Sequence, residues 1–384
     1  TIYSLVSSVS RASREKAAAT SAVSYIMCRI IKSAAFSLPL LLSSSSKVIA
    51  SAFLTNPHLG STTTRRRNMS RVSAKASLDQ EIESFVSKEG FGEVVSSKPM
   101  GSSGWASFRR VEVSDPDVPD FFVKSSSRSA KDMFEGEALG LKAMYECSQG
   151  EDGLRIPKVY HYGDYTNGGG SLLIMEYLQL AGRSDDRALG RAVAKMHLAE
   201  PTAEAGNPNG CFGFNMDNTI GGTPQPNGWT KGGSTQDWIE FFRDERIGHQ
   251  LNLAGDSYCS KLWQNDIAPR LHTLFENVEV KPSLLHGDLW SGNIGSVEGK
   301  PTIYDPATYW GHHEAEWGMS WCAGFGKSFW DGYREVIPED EGFLDRKPLY
   351  DAYHQLNHYN LFGGGYISSA RGDLETLKRY LDKM

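Results

Sequence analysis

His286-Gly-Asp-Leu-Trp-Ser-Gly-Asn293, followed after the strand-like Thr302-Ile-Tyr304 by Asp305, is the stretch on which the reading of this chain turns. Asp288 and Asn293 are five residues apart, and Asp305 stands twelve residues beyond Asn293. A carboxylate, an amide oxygen and a second carboxylate are hard oxygen donors of the kind that hold magnesium. Phosphoryl transfer asks a protein chiefly to position its reactants and to neutralise charge on phosphates and metal. In loops that do this work, an Asp orients and deprotonates the attacking hydroxyl, an Asn five residues on holds a metal ion, and a later Asp holds the second metal position. The spacing thus assigns Asp288 as base and Asn293 and Asp305 as metal ligands, although Pro306 and Ala307 replace the Phe-Gly that follows the metal Asp in protein kinases.

Working back toward the N-terminus, Lys124 ends the apolar run from Phe121, where a buried cation can meet the α- and β-phosphates of ATP. Its acidic partner is expected on the following helix. Glu137 is preferred because it begins the regular apolar stretch, with Glu135 as the alternative. Gly101-Ser102-Ser103-Gly104, between two strand-like runs, is placed to lay backbone N–H groups over phosphates. Taken singly, each feature has a plainer reading: a snorkelling lysine, an Asp-Pro turn, a hairpin turn. Their joint order is what points to an ATP- and magnesium-dependent kinase.

Periodicity supplies the frame. Ser77-Leu-Asp-Gln80 reads as a capping box ahead of Leu78, Ile82, Phe85 and Val86 on one helical face. Residues 94–98, 104–113 and 121–124 read as antiparallel strands, 131–146 as a helix, and 158–163 and 172–177 as further strands. Beyond Arg183 the pattern is helical at 185–198, 235–253, 258–275, 314–322 and 349–362, with a Gly-, Pro- and Asn-rich stretch at 207–233 too long to be a mere connection. These runs predict an α+β, bilobal protein-kinase-like fold. Residues 77–178 would form an N-lobe of antiparallel sheet plus one helix, and 179–384 a mainly helical C-lobe.

Composition narrows the partners. With 384 residues and a formal net charge of −6 the chain does not look like a nucleic-acid coat. Five scattered cysteines without a C-x-x-C pair suit free thiols rather than a disulfide or zinc framework. No segment approaches the roughly 20 apolar residues of a membrane span. Residues 1–76 are rich in Ser and Arg, with Glu15 their one acid, and read as an organelle transit peptide, to a chloroplast or alternatively a mitochondrion. His312-His313-Glu314 lacks the H-E-x-x-H spacing of a helical metal site, and adjacent histidines are expected to face apart, so a structural or substrate-lining role is preferred.

From about Leu78 to the C-terminus the chain resembles the fructosamine-3-kinase (ketosamine-3-kinase) family, which belongs with aminoglycoside phosphotransferases and choline kinases in the protein-kinase-like superfamily. The resemblance is carried by H-G-D-L-W-S-G-N at 286–293, Tyr304-Asp-Pro-Ala307 and Gly311-His-His-Glu314. Further matches are Phe212-Gly-Phe214, Asp217-Asn218, Ile220-Gly221, Gln225-Pro-Asn227, Trp238 and Phe241-Phe242. It implies phosphorylation of the 3-hydroxyl of free or protein-bound ketosamines (fructosamines or ribulosamines), whose unstable 3-phosphate decomposes and frees the amine. It also implies ATP and Mg²⁺ as cofactors, Asp288 as base, Asn293 and Asp305 as metal ligands, a Lys124–Glu137 ion pair on the ATP side, Met175-Glu176-Tyr177-Leu178 as adenine-binding hinge, and Trp290 as a substrate-side aromatic. The amine beside the sugar would want acidic neighbours, for which Asp217, Glu314 and Glu316 are candidates. Some relatives have a dimer-forming cysteine in the phosphate loop. This chain has none between Lys98 and Arg110, so that property does not carry over. The competing readings are an aminoglycoside- or choline-type kinase and a silent nucleotide-binding pseudokinase.

Overall fold

The computed structural model describes residues 78–150 and 153–384; the expected transit segment and the capping Ser77 lie outside the described residues. Residues 78–89 form helix α1, and Leu78, Ile82, Phe85 and Val86 are all buried, as their helical spacing requires. Strands β1 (Val94–Ser102), β2 (Ser107–Val113), β3 (Phe121–Ser126), β4 (Val159–Asp164) and β5 (Ser171–Glu176) form one sheet in the order β1-β2-β3-β5-β4. Every neighbouring pair is antiparallel.

The two-residue alternation of strands divides this sheet cleanly between two cores. Phe121, Val123, Leu172 and Ile174 pack with α1 on one face. Leu173 and Met175 point to the other, into the main core with helix α2 (Lys131–Cys147). Lys124 follows Val123 and so lies on the α2 face, which is why a strand lysine can meet a helix acid at all. One boundary differs from expectation. Gly104 opens no strand but sits in the β1–β2 turn, because β1 continues through a register shift between Pro99 and Gly101 as far as Ser102.

The second lobe starts with helix α3 (Asp186–His197) and a small hairpin, β6 (Asn218–Ile220) and β7 (Thr223–Gln225). The helix expected at 235–253 is one run with a wider π-type turn at Phe242–Gly248, made of α4 (Thr235–Phe241) and α5 (His249–Ala254). That expected at 258–275 begins as α6 (Ser257–Leu262) and tightens to 3₁₀ geometry over Ala268–Phe275, where Pro269 removes an N–H donor. Four short strands, β8 (Ser283–Leu285), β9 (Ile294–Val297), β10 (Lys300–Ile303) and β11 (Tyr309–Gly311), frame the polar loop at 286–293. A 3₁₀ segment His313–Met319 leads into α7 (Ser320–Ala323), and α8 (Lys327–Arg334), α9 (Phe343–Phe362) and α10 (Tyr366–Leu381) complete the lobe. Among the described residues no helix is long and apolar enough to cross a membrane.

Candidate active site

The twelve-residue spacing between Asn293 and Asp305 is the length of a tight hairpin. β9 and β10 pair antiparallel with Ile294 opposite Ile303, so the residues just outside, Asn293 and Tyr304, are brought together. Tyr304 N donates to Asn293 O at 3.2 Å. The Asn293 amide nitrogen donates to the Asp288 carbonyl at 2.9 Å, the Asp288 carboxylate at 3.3 Å and the Asp305 carbonyl at 3.2 Å. One amide thus ties the three residues into a single cluster, and its nitrogen being engaged, its carbonyl oxygen is the end that suits a cation.

β8 and β11 pair on the other side of the loop, Leu285 opposite Tyr309, and Ala307 N donates to His286 O at 2.9 Å. Gly287 makes that approach possible. Its φ is +77°, and a Cβ there would lie 2.2 Å from Ala307 O. Asp305 is a non-glycine residue at φ +61°, a conformation Asp tolerates better than most. Such a backbone is found where the surroundings impose it, as they do at metal and phosphate sites.

Lys124 closes the cluster from the first lobe. Its Nζ is 2.6 Å from Glu137 Oε1 and 2.7 Å from Asp305 Oδ1. Burial opposes the lysine's charge, but Asp305 and Glu137 overcome it and hold the ammonium well above its ordinary value. Burial pushes the Glu137 carboxyl up, against the pull of Lys124. The helix alternative is settled by placement, since Glu137 is buried against Lys124 and Glu135 is not. Helix α2 comes close enough because two glycines flank this acid. A Cβ on Gly136 would meet Asn218 Cβ at 2.6 Å, and one on Gly140 would meet Thr308 Oγ1 at 2.7 Å.

The remaining candidates are not all brought to this cluster. Of the expected loop 101–104, Gly101 and Ser102 close β1 opposite Phe108 and Ser107, and the turn proper is built by Ser103, whose N donates to Ala106 O at 2.8 Å and whose hydroxyl accepts from the N–H groups of Trp105 and Ala106. At the hinge, Met175 is buried in the core and the Glu176 carboxylate turns to Arg155 and the Lys158 N–H, so Glu176 has only its backbone to offer a nucleotide. Tyr177 lies under the Arg110 guanidinium at 4.5 Å, and Leu178 is half-buried beside it in sequence. Asp217 is exposed and accepts the Asn227 N–H at 2.7 Å, which closes the long central loop on itself.

Three of the expected substrate contacts need correction. Trp290 does not present an open face: it is 8% exposed, packs with Met319 and Cys322, and folds over Gly292, where a Cβ would lie 2.1 Å from the indole. Glu314 gives both oxygens to the buried Arg346, at 2.6 and 2.7 Å. Glu316 is 1% exposed and accepts the N–H groups of His286 at 2.7 Å and Gly287 at 3.0 Å. Burial works against its charge, yet the hydrogen bond and charge of His197, with the backbone N–H of His286, outweigh it and hold the carboxyl below its ordinary range.

Glu316 is therefore the anchor of the catalytic loop, a role spacing did not reveal. His286 completes it, with Nε2 2.9 Å from Tyr304 O and Nδ1 3.2 Å from the Asp288 N–H, an arrangement that fixes Nε2 as donor and Nδ1 as acceptor. His312 and His313 do not face apart as expected; their rings meet edge to face at 4.7 Å. With Glu314 and Asp340 they offer ligand atoms within 4.8 Å of one another; of these residues Glu314 is paired with Arg346, and His312 Nδ1 meets the Tyr350 hydroxyl at 2.8 Å. Arg246, fully buried, was also missed. It lies 4.0 Å over the Tyr309 ring and donates to Asn227 Oδ1 at 2.7 Å, holding the end of the central loop.

The chain is similar to proteins already named. A protein-ribulosamine 3-kinase, chloroplastic, of Oryza sativa subsp. indica is 44% identical over 323 residues, covering 82% of this chain and 89% of its own length. The protein of the same name from Arabidopsis thaliana is 43% identical, covering 81% and 91%. The ketosamine-3-kinase of Mus musculus is 33% identical, covering 73% and 96%. Among solved structures, a protein of Thermobifida fusca YX-ER1 named for fructosamine-3-kinase superposes with a TM-score of 0.63 at 27% identity, over 75% of this chain and 95% of its own. An aminoglycoside phosphotransferase at 16% identity and TM-score 0.51 shares the fold alone. Residues 101–380, from the phosphate-side turn to the last helix, match the family described as fructosamine kinase, and with the Lys124, Asp288, Asn293 and Asp305 cluster in place the chain belongs to that family of kinases.

Proposed function

We propose that this kinase transfers the γ-phosphoryl group of ATP to the 3-hydroxyl of a ketosamine, free or protein-bound, and so initiates release of the amine. The observation that carries the reading is the convergence of Lys124, Glu137 and Asp305 within 2.7 Å contacts, with Asn293 joining Asp305 to Asp288. In this reading Asp288 accepts the proton of the attacking hydroxyl, and Lys124, steered by Glu137, holds the α- and β-phosphates. The 101–104 turn lies over the phosphates, and the backbone of 175–178 receives the adenine. Asn293 and Asp305 supply an oxygen set that suits Mg²⁺, which when bound neutralises charge on the β- and γ-phosphates.

The substrate class rests on the relatives' names and on the motifs shared with them, and the alternatives are not favoured by any contact described above. Following the same relatives, whose names place them in the chloroplast, we assign residues 1–76 to plastid delivery. The deciding assay measures ADP release by purified protein with Mg-ATP and a panel of ribulosamine, fructosamine, choline and kanamycin. Turnover confined to the ketosamines supports the reading, and turnover on choline or kanamycin alone replaces it.

A further inference from the structure

The turn that carries Gly101–Gly104 ends in Trp105, a large apolar side chain at the tip of a hairpin, 45% exposed. The covered part of its ring lies against the other lobe. A Cβ built on Gly222 would sit 2.6 Å from Trp105 Cζ3 and 3.0 Å from Cη2, and one on Gly221 would sit 4.0 Å from Cζ2 and 3.0 Å from Leu361 Cδ1.

These two glycines form the β6–β7 turn and differ in what they need. Gly221 has φ +62°, which favours glycine on backbone grounds. Gly222 has no left-handed φ, so its backbone makes no such demand. What excludes a side chain there is the indole.

The hairpin under the indole reaches the chemistry at its other end. Asn218 Nδ2 donates to Thr308 O at 2.8 Å, and Gln225 Nε2 donates to Ala307 O at 3.0 Å, both just past Asp305. Gln225 Oε1 accepts from the Tyr353 hydroxyl at 2.6 Å. A continuous set of contacts therefore runs from the phosphate-side turn, across the cleft, to the backbone just past Asp305.

We propose that Trp105 is the closing residue of the acceptor site: its indole seats on Gly222, joins the phosphate-side turn to the β6–β7 hairpin, and excludes water while the acceptor hydroxyl is held near Asp288. The proposal rests on the ketosamine kinase reading and adds to it the residue that completes the enclosure. Closure of this kind sequesters a transferable group from water. It is built from apolar contact, so it acts on acceptor binding and on leakage to water without touching a phosphate.

The test compares wild type with Trp105→Ala, Trp105→Phe, Gly222→Ala and the Trp105→Ala/Gly222→Ala double variant. Trp105→Ala is expected to raise KM for the ketosamine about tenfold, the order an aromatic contact confers. KM for Mg-ATP should stay within about twofold, as for a change that removes no phosphate contact. Acceptor-free ADP release, in which water takes the phosphoryl group, should rise, and the melting temperature should hold. Phe should restore most of the acceptor affinity. Gly222→Ala should reproduce the Trp105→Ala behaviour and add nothing to it in the double variant. Unchanged ketosamine KM and unchanged acceptor-free hydrolysis in Trp105→Ala overturn the latch, as does additivity of the two changes. Should the wild type prove inactive on every ketosamine, the substrate reading fails by itself. The latch is then judged by acceptor-free hydrolysis and by the fluorescence difference between wild type and Trp105→Phe on adding Mg-AMP-PNP, where identical responses reject it.

Discussion

Asp288 is oriented by backbone and amide contacts: its N–H rests on His286 Nδ1 and its carboxylate receives the Asn293 amide. Asp288→Asn keeps that geometry but removes the proton acceptor. It should lower kcat on a ketosamine by about 10² to 10⁴ while leaving Mg-ATP affinity near wild type, as measured by steady-state kinetics and nucleotide titration. Glu316 makes a different kind of prediction possible. A Gln there retains one acceptor oxygen for two loop N–H groups and turns an NH₂ toward one of them. An orphaned buried donor costs about 1–3 kcal/mol. Glu316→Gln should therefore lower both the melting temperature and kcat, with KM for Mg-ATP little changed, because the loop shifts while Lys124 and its partners remain. At this scale the sequence was most legible where chemistry demands fixed spacing, as with Lys124, Asp288, Asn293 and Asp305. It was least legible where a carboxylate's job depends on which way its backbone turns. Glu314 and Glu316 are two residues apart on one 3₁₀ segment, and nothing in their order says that both look inward.

Helices α3 and α8 cross with their backbones in near contact, through one glycine from each. A Cβ on Gly190 would lie 2.2 Å from Phe329 O, and one on Gly332 would lie 2.1 Å from Arg187 O. Both positions are ordinary helix interior, where alanine is otherwise the better residue by about 1 kcal/mol. Gly332→Ala should nonetheless destabilise, by roughly 1–3 kcal/mol through overpacking, read as a lower denaturation midpoint. A stabilised variant would mean the crossing is looser than described. Helix α8 was not anticipated, because eight residues give periodicity little to work with. Helix α9 was expected over 349–362, from the residue after Pro348 onward. It starts at Phe343 and carries the proline near its N-terminus, where a single intrahelical bond is lost. By contrast α10, with Ala370, Leu374, Leu377 and Leu381 all buried, shows the three- and four-residue spacing of an amphipathic helix, which the sequence displays. The first-lobe strands were legible for a physical reason: a sheet with a core on each face makes its inner strands short continuous apolar runs, such as 121–123 and 172–175, set off by turn residues.

Acid stability is a property of the whole molecule. His313 is held neutral by burial first, then by the charges of His197 and Arg346, which lower it from 6.5 to about 3. The unfolded chain binds this proton below about pH 6.5 and the folded one does not. The contribution of His313 is thus complete above that pH and is lost as pH falls toward 3. His313→Gln should flatten the stability profile over that window by one proton, about 1.4 kcal/mol per pH unit. Equal slopes for variant and wild type would show the imidazole to be charged in the folded protein. At this scale the α+β class, a sheet part followed by a helical part, was readable from periodicity, whereas the contacts between the parts were not, since they depend on residues far apart in sequence. The pairing of Gly136 with Asn218 is one of them. It places the helix that carries Glu137 directly on the β6–β7 hairpin, so neither can change shape at this contact without the other. A lineage that changes its acceptor by reshaping this hairpin must accommodate the helix as well, and substitutions at 136 and 218 should appear together across relatives: where 136 has gained a side chain, 218 should have lost one.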